Sequence, residues 1–291
     1  MDSHATLLQK VQHMLKLYNT SFGEMDLVLL HAMVHHVIRL SRVINTTGHI
    51  LLIGPGGSGR QSLTRLAAYL TKSTMFTIRK TLNVPYTSLD FKSDLAQAFE
   101  VAGCGEKKVV FMATVEDLPD DKSWVYLQEW CSTDYISNLF SSDERATIVE
   151  TIGRNMTTLN DAQCWIFFQN QVTKNLHFVL CGSSDMKGLR ERSTIAPSLL
   201  STMTIQWVFP WTIAMFQDVA EMELGEMDIL PLVLDGVLLF MTHVYQLVNR
   251  FVQQNHGRRL CPSTYLSYLR CFQGMYNNQV EESSEVRSLK K

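Results

Sequence analysis

The sequence predicts an α/β fold, a doubly wound parallel sheet covered by helices and followed by a smaller all-helical domain. Three observations carry this. Strand-like and helix-like patterns alternate from His49 to about residue 210, as βαβ units do. A glycine-rich loop, Gly54 to Gly59, joins an apolar run to an amphipathic one. After "FPWT" only helical periodicity remains, from Ile213 to Asn277.

The elements follow in order. "LLQKVQHMLKLYN" and "MDLVLLHAMVHHVIRLSRVI" have apolar residues at helical spacing, and Asn45-Thr46-Thr47-Gly48 breaks the pattern. "HILLIG" reads as a short buried strand. "RQSLTRLAAYLTKS" reads as a helix with Leu63, Leu66, Ala67 and Leu70 on one face. "MFTIRKTL" is the next strand, and "SLDFKSDLAQAFEVAGCG" a helix stopped by Gly103 or Gly105. "KKVVFMATV" is a buried-type strand. "SWVYLQEWCSTDYI" and "SSDERATIVETIGRNM" are helices, while "NLHFVLCGSS" and the end of "PSLLSTMTIQWVF" are strands. The domain boundaries expected are a helical lead-in over 1–46, a large α/β domain over 47–210, a helical domain over 211–280 and a charged tail over 281–291. Trp207 and Trp211 flank the boundary, where packing is the expected role.

A hydrophobic share of 46% over 291 residues suffices for a substantial core without disulfides or metal. The net charge of -2 argues against a nucleic-acid partner or an acidic membrane surface. The six cysteines form no CxxC pair and are expected as reduced thiols packed in a core. "MDSHATLLQK" lacks the apolar core of a secretory signal. Leu230–Val248 is the most membrane-like run, but Asp235, His243 and Gln246 interrupt it, so a buried helix is expected. His31 and His35 have a zinc-compatible spacing, yet no HExxH pattern accompanies them, and no metal site is expected.

The chemistry concentrates at Gly54-Pro55-Gly56-Gly57-Ser58-Gly59-Arg60-Gln61-Ser62. Glycines let the backbone curl so that its N–H groups meet oxygens, and the following helix adds its positive end. A strand before and a helix after make this a phosphate-binding loop. Arg60 stands where such loops carry lysine; it keeps the charge on a wide planar fork. Gln61 stands where a hydroxyl would hold magnesium, and Ser62 is one residue late, about 100° around the axis. The second requirement is an acidic residue at the end of a neighbouring strand. After Val109–Met112 the expected positions hold Ala113, Thr114 and Val115, and the acids Glu116 and Asp117 arrive late. They are the candidate catalytic acids if the strand bulges; otherwise they are a solvated turn before Pro119.

The run "GHILLIGPGGSGRQSLTRLAAYL" resembles the nucleotide loop of the fourth AAA+ module of dynein heavy chains, the axonemal ones in particular. The resemblance covers nearly the whole chain, in order. "KKVVFM" resembles the acidic (Walker B) strand, "ISNLFSSDE" an N-L-F-x-x-D-E turn, and "KNLHFVLCGSS" the sensor-1 strand. "IQWVFPW" resembles I-D-W-F-x-x-W, and "CPSTYLSYLRCF" the T-P-x-x-Y-L of the helical lid.

The resemblance implies a P-loop AAA+ fold and ATP or ADP as ligand, while Gln61, Thr114 and Val115 argue against magnesium. It implies neighbouring ring modules as partners, light or intermediate chains only through a parent complex, and a cytoskeletal location in a cilium or flagellum. This segment itself is expected to bind no microtubule; the chain stops about where the family's stalk starts. Ser183 and Ser184 match the sensor-1 strand end and either contact γ-phosphate or serve as turn residues. Arg190 and Arg192 match the family's inter-module arginines or form surface ion pairs, and Thr194 replaces a third. Ser263 stands at the sensor-2 position, where hydrolysing modules have arginine.

Overall fold

The computed structural model describes residues 2–289 except 26, 47, 79, 81–84, 106, 157–158, 186–189, 192–193, 226, 228 and 258–259. In chain order the elements are α1 (Asp2–Phe22), α2 (His31–Asn45), β1 (His49–Gly54), α3 (Arg60–Leu70), β2 (Thr74–Thr77), α4 (Ser88–Cys104), β3 (Val109–Thr114), α5 (Asp121–Thr133), α6 (Ser142–Asn155), α7 (Asp161–Asn175), β4 (Leu176–Ser183), α8 (Leu199–Thr202), β5 (Met203–Trp207), α9 (Ile213–Leu224), α10 (Pro231–His256) and α11 (Pro262–Leu289). The described chain falls into two compact units, residues 1–54 with 59–208, and residues 55–58 with 209–291.

The first unit is built on a five-stranded sheet in the order β2-β3-β4-β1-β5, with every pairing parallel. Its central strands are continuous apolar runs because a parallel sheet is buried on both faces. Alternate residues separate those faces. Leu51, Ile53, Phe111, Ala113, Phe178 and Leu180 join one core with Phe91, Trp124, Trp130 and Phe168 from α4, α5 and α7. Ile50, Leu52, Val110, Met112 and Val179, equally buried, belong to the opposite face. Helix starts are specified by side chains: capping boxes Thr87–Asp90, Ser141–Glu144 and Asn160–Gln163 open α4, α6 and α7. Gly103 allows α4 to meet α7, since a Cβ there would lie 2.2 Å from the Phe168 ring.

In the second unit α9, α10 and α11 enclose the rings of Phe216, Tyr245 and Tyr265, with centroids 4.9 to 5.1 Å apart. Pro231 opens α10 and Gly257, at φ 62°, closes it. The helix α11 continues through the charged tail to Leu289.

Four expectations are corrected. The second strand spans Thr74–Thr77 and does not include Ile78 or Lys80, while 79, 81 and 82 of "MFTIRKTL" lie outside the described residues. Met25 and residues 27–30 are not part of a helix: α2 begins only at His31, and residue 26 lies outside the described residues. The thiols are not uniformly a core feature: Cys164 and Cys181 are buried, but Cys104 and Cys271 are exposed. The run Leu230–Val248 is not a buried helix, because Phe240 is 64% exposed and Leu247 60%. Among the described residues no helix is long and apolar enough to cross a membrane.

Candidate nucleotide-binding loop

The loop after β1 leaves the carboxyl end of the strand that lies between β4 and β5. Since β2 and β3 lie beyond β4, the strand order reverses here, and ligands of open α/β sheets bind in such a crevice. Gly57 and Gly59 take φ values of 66° and 78°, the left-handed region where a side chain is strained. The Ser58 N–H closes the turn on Pro55 O at 3.3 Å, and the Leu63 N–H makes the first turn of α3 by bonding Gly59 O at 2.7 Å. The N–H groups of Arg60, Gln61 and Ser62 therefore precede the first intrahelical donor, where a helix attracts anions. The Ser58 hydroxyl is buried, 3% exposed, with no hydrogen-bond partner among the described residues. A buried orphan hydroxyl in a loop of this shape fits an acceptor supplied by a phosphate.

Two contacts press on the loop. A Cβ at Gly57 would lie 2.7 Å from Cys261 Cβ and 2.8 Å from Ser263 Oγ, so the start of α11 rests on this glycine. There the Cys261 thiol lies 3.1 Å from Ser263 Oγ and 3.1 Å from Thr264 Oγ1. Burial raises its pKa, but these hydrogen bonds outweigh that and hold it below the usual thiol value. A Cβ at Gly59 would lie 3.1 Å from Leu27.

Arg60 does not point its charge freely: its guanidinium donates to the backbone oxygen of Gly182 in β4. Gln61 is exposed and Ser62 half-buried. Ser183 pairs with Gly54 across the β1–β4 ladder, which brings the sensor-like strand end beside the loop's first residue; Ser184 is exposed. Arg190 is exposed and Arg192 lies outside the described residues. Thr194 caps locally on Glu191 O at 3.0 Å.

The late acids form a turn that folds back on β3. The Asp117 N–H bonds Thr114 O at 3.0 Å, and the Thr114 hydroxyl donates to Asp117 Oδ2 at 2.6 Å. Lys80 pairs with Asp117 Oδ1 at 2.8 Å and donates to Glu116 O at 3.2 Å. Burial raises the Asp117 pKa, yet the bonds from Lys80 and Thr114 outweigh it and keep the carboxyl below the ordinary carboxylate range. Glu116 is exposed. Thus the Asp117 carboxylate returns to the strand end, while the Glu116 side chain is exposed. Magnesium, which P-loop chemistry implies, does not fit these residues: Gln61, which has no hydroxyl, directly follows Arg60, and the Asp117 carboxylate is already held by an ammonium. Among the described residues no group of three or more His, Cys, Asp or Glu side chains could hold a metal ion.

Sequence reasoning missed Lys80, Leu27 and Cys261. Lys80 and Asp117 are 37 positions apart, and "MFTIRKTL" carries only a strand pattern. The Cys261 contact with Gly57 has no local signal either.

A family described as the P-loop containing dynein motor region D4 matches residues 25–275. The chain is 30% identical over 283 residues to the dynein alpha chain of the flagellar outer arm of Chlamydomonas reinhardtii, covering 94% of this chain and 6% of that one. It is 29% identical over 293 residues to dynein axonemal heavy chain 9 of Homo sapiens, covering 97% and 6%. The flagellar outer-arm beta chain of C. reinhardtii is 29% identical over 277 residues, covering 92% and 6%. The chain thus spans about 6% of the length of these relatives.

Proposed function

The chain belongs to the family of P-loop containing dynein motor regions, and from that premise we propose that it is a nucleotide-binding AAA+ module of an axonemal dynein heavy chain. It is the fourth in the ring, takes ATP or ADP, and hydrolyses it slowly or not at all. The observation that carries nucleotide binding is the buried Ser58 hydroxyl, which has no partner among the described residues, in a loop with two left-handed glycines. Slow hydrolysis follows from the acids. A group that positions water contributes about 10²–10⁴ in rate; Asp117 is held by Lys80 and Thr114, and Glu116 lies past the strand end with its side chain exposed.

In this reading the module sets local ring geometry through its bound nucleotide, with neighbouring AAA+ modules as partners. Its location is the cilium or flagellum, through the parent heavy chain. Arg190 is the candidate for acting on a neighbouring module's nucleotide. The test is the mass of nucleotide carried by purified protein, followed by titration with a fluorescent ATP analogue. Saturable binding in the micromolar range or weaker, about -8 kcal/mol at the tightest, is expected. A malachite-green assay showing robust magnesium-dependent turnover that Arg60→Ala abolishes would sink the reading.

One observation favours a second reading, a scaffold module that binds nothing. Cys261 and Ser263 fill the space beside Gly57 where a Cβ would lie, and Arg60 already has a partner in Gly182. No co-purifying nucleotide and no saturable titration is the outcome that reading requires.

A further inference from the structure

We infer that the Lys80 ammonium is the resident cation at the carboxyl end of β3, standing in for a divalent metal, so that this module takes its nucleotide metal-free. The nucleotide half of this inference rests on the function proposed above; the cation half stands on geometry alone.

A divalent cation at a strand end needs hard oxygen ligands, carboxylate and carbonyl above all. Two such oxygens at this place, Asp117 Oδ1 and Glu116 O, are held by Lys80 Nζ, at 2.8 and 3.2 Å. The other carboxylate oxygen, Oδ2, accepts from the Thr114 hydroxyl at 2.6 Å and from the Thr114 N–H at 3.4 Å. The Asp117 N–H bonds Thr114 O, which fixes the turn that presents the carboxylate.

Lys80 follows β2, the strand paired with β3, so the ion pair ties together two neighbouring strand ends. A metal ion would have to evict the ammonium or sit beside it, and two adjacent cations repel. In the glycine loop, Gln61 offers no hydroxyl. An ammonium neutralises a carboxylate and donates hydrogen bonds, but it does not polarise a phosphoryl group as a Lewis acid does. The strand-end carboxylate is therefore neutralised, with one positive charge where a divalent metal brings two, and without the metal's chemistry.

The experiment has two arms on the same purified chain. In the first, affinity for a fluorescent ADP analogue is measured in excess magnesium and in EDTA. The wild type is expected to change by less than about threefold, and Lys80→Met to bind about tenfold more tightly with magnesium than without. In the second, manganese alone is titrated and followed by electron paramagnetic resonance. Wild type is expected to leave the free-ion signal intact, Lys80→Met to reduce it, and Lys80→Met with Asp117→Asn to restore it. Lys80→Gln, also uncharged, repeats both arms should methionine disturb folding by circular dichroism. The inference is overturned by a tenfold or greater loss of wild-type affinity in EDTA, by wild-type manganese binding that Asp117→Asn removes, or by folded Lys80 variants that bind no manganese. Absence of nucleotide binding in either buffer counts against the proposed function instead, and the manganese arm then decides the cation inference by itself.

Discussion

The guanidinium of Arg60, in the first turn of α3, donates a hydrogen bond to the backbone oxygen of Gly182 in β4. The residue at the lysine position of the loop is thereby tied to the neighbouring strand of the sheet. Its role in the described arrangement is to hold the helix start against β4, leaving backbone N–H groups to meet phosphate.

Arg60→Ala is accordingly expected to cost stability more than affinity. Loss of a hydrogen bond from a charged donor is worth about 1.5–3 kcal/mol, read as a lower urea midpoint. Nucleotide affinity should fall by less than about tenfold, which is 1.4 kcal/mol. A loss of two orders of magnitude would show that Arg60 leaves Gly182 to bind phosphate.

Gly57→Ala should damage both the loop and the start of α11. The new Cβ would meet Cys261 Cβ at 2.7 Å, and φ stays at +66°. The left-handed conformation alone costs a side chain about 1–2 kcal/mol. A fall in melting temperature together with weaker nucleotide binding is the expected pair of readouts. By contrast, Gly56→Ala has open space around its Cβ and serves as the matched control.

Gly103→Ala tests the α4–α7 core far from the loop. The Phe168 ring at 2.2 Å and Val172 at 2.8 Å would both have to move. Overpacking of this kind costs about 1–3 kcal/mol. Chemical denaturation should show the loss with nucleotide affinity unchanged in the folded protein.

Acid should weaken the first unit through two histidines at the start of the sheet. His49 and His177 are buried, and their pKa values are depressed from 6.5 to about 4, first by desolvation; His177 further lowers His49, and Lys108 lowers His177. The Phe178 N–H donates to His49 Nδ1 at 3.1 Å, a bond that protonation at Nδ1 removes. A depressed histidine pKa means that the unfolded chain takes up the proton first. Stability is therefore full above about pH 6.5 and falls as the pH drops toward 4, by on the order of 3 kcal/mol per histidine at the limit. Urea midpoints at pH 7.5, 6 and 5 should decline in that order. A flat profile over this range would show that the two rings take up protons at the same pH in the folded and unfolded chain.

Much of the fold was legible because its determinants are local. The buried strands announce themselves as unbroken apolar runs such as "HILLIG" and "KKVVFM", and the switch to pure helix after Pro210 is a change of period. Helix α7 was harder: its apolar residues in "CWIFF" run together, so neither period stands out, and Asn160 with Gln163 sets its start through a capping box. Helix α10 misled for the opposite reason, since an apolar run is silent about which of its faces finds a partner.

The sequence by itself determined the glycine loop, the missing hydroxyl at Gln61, and the acids displaced past Val115, because each is a matter of residue type at a given spacing. Only the tertiary structure decided how those residues are used. Arg60 meets Gly182, Asp117 returns to Thr114 and meets Lys80, and Gly57 carries Cys261. Apart from the return to Thr114, these pairings join positions far apart in the chain. Strand order and helix packing bring such partners within hydrogen-bond or contact range, and no local pattern encodes that proximity.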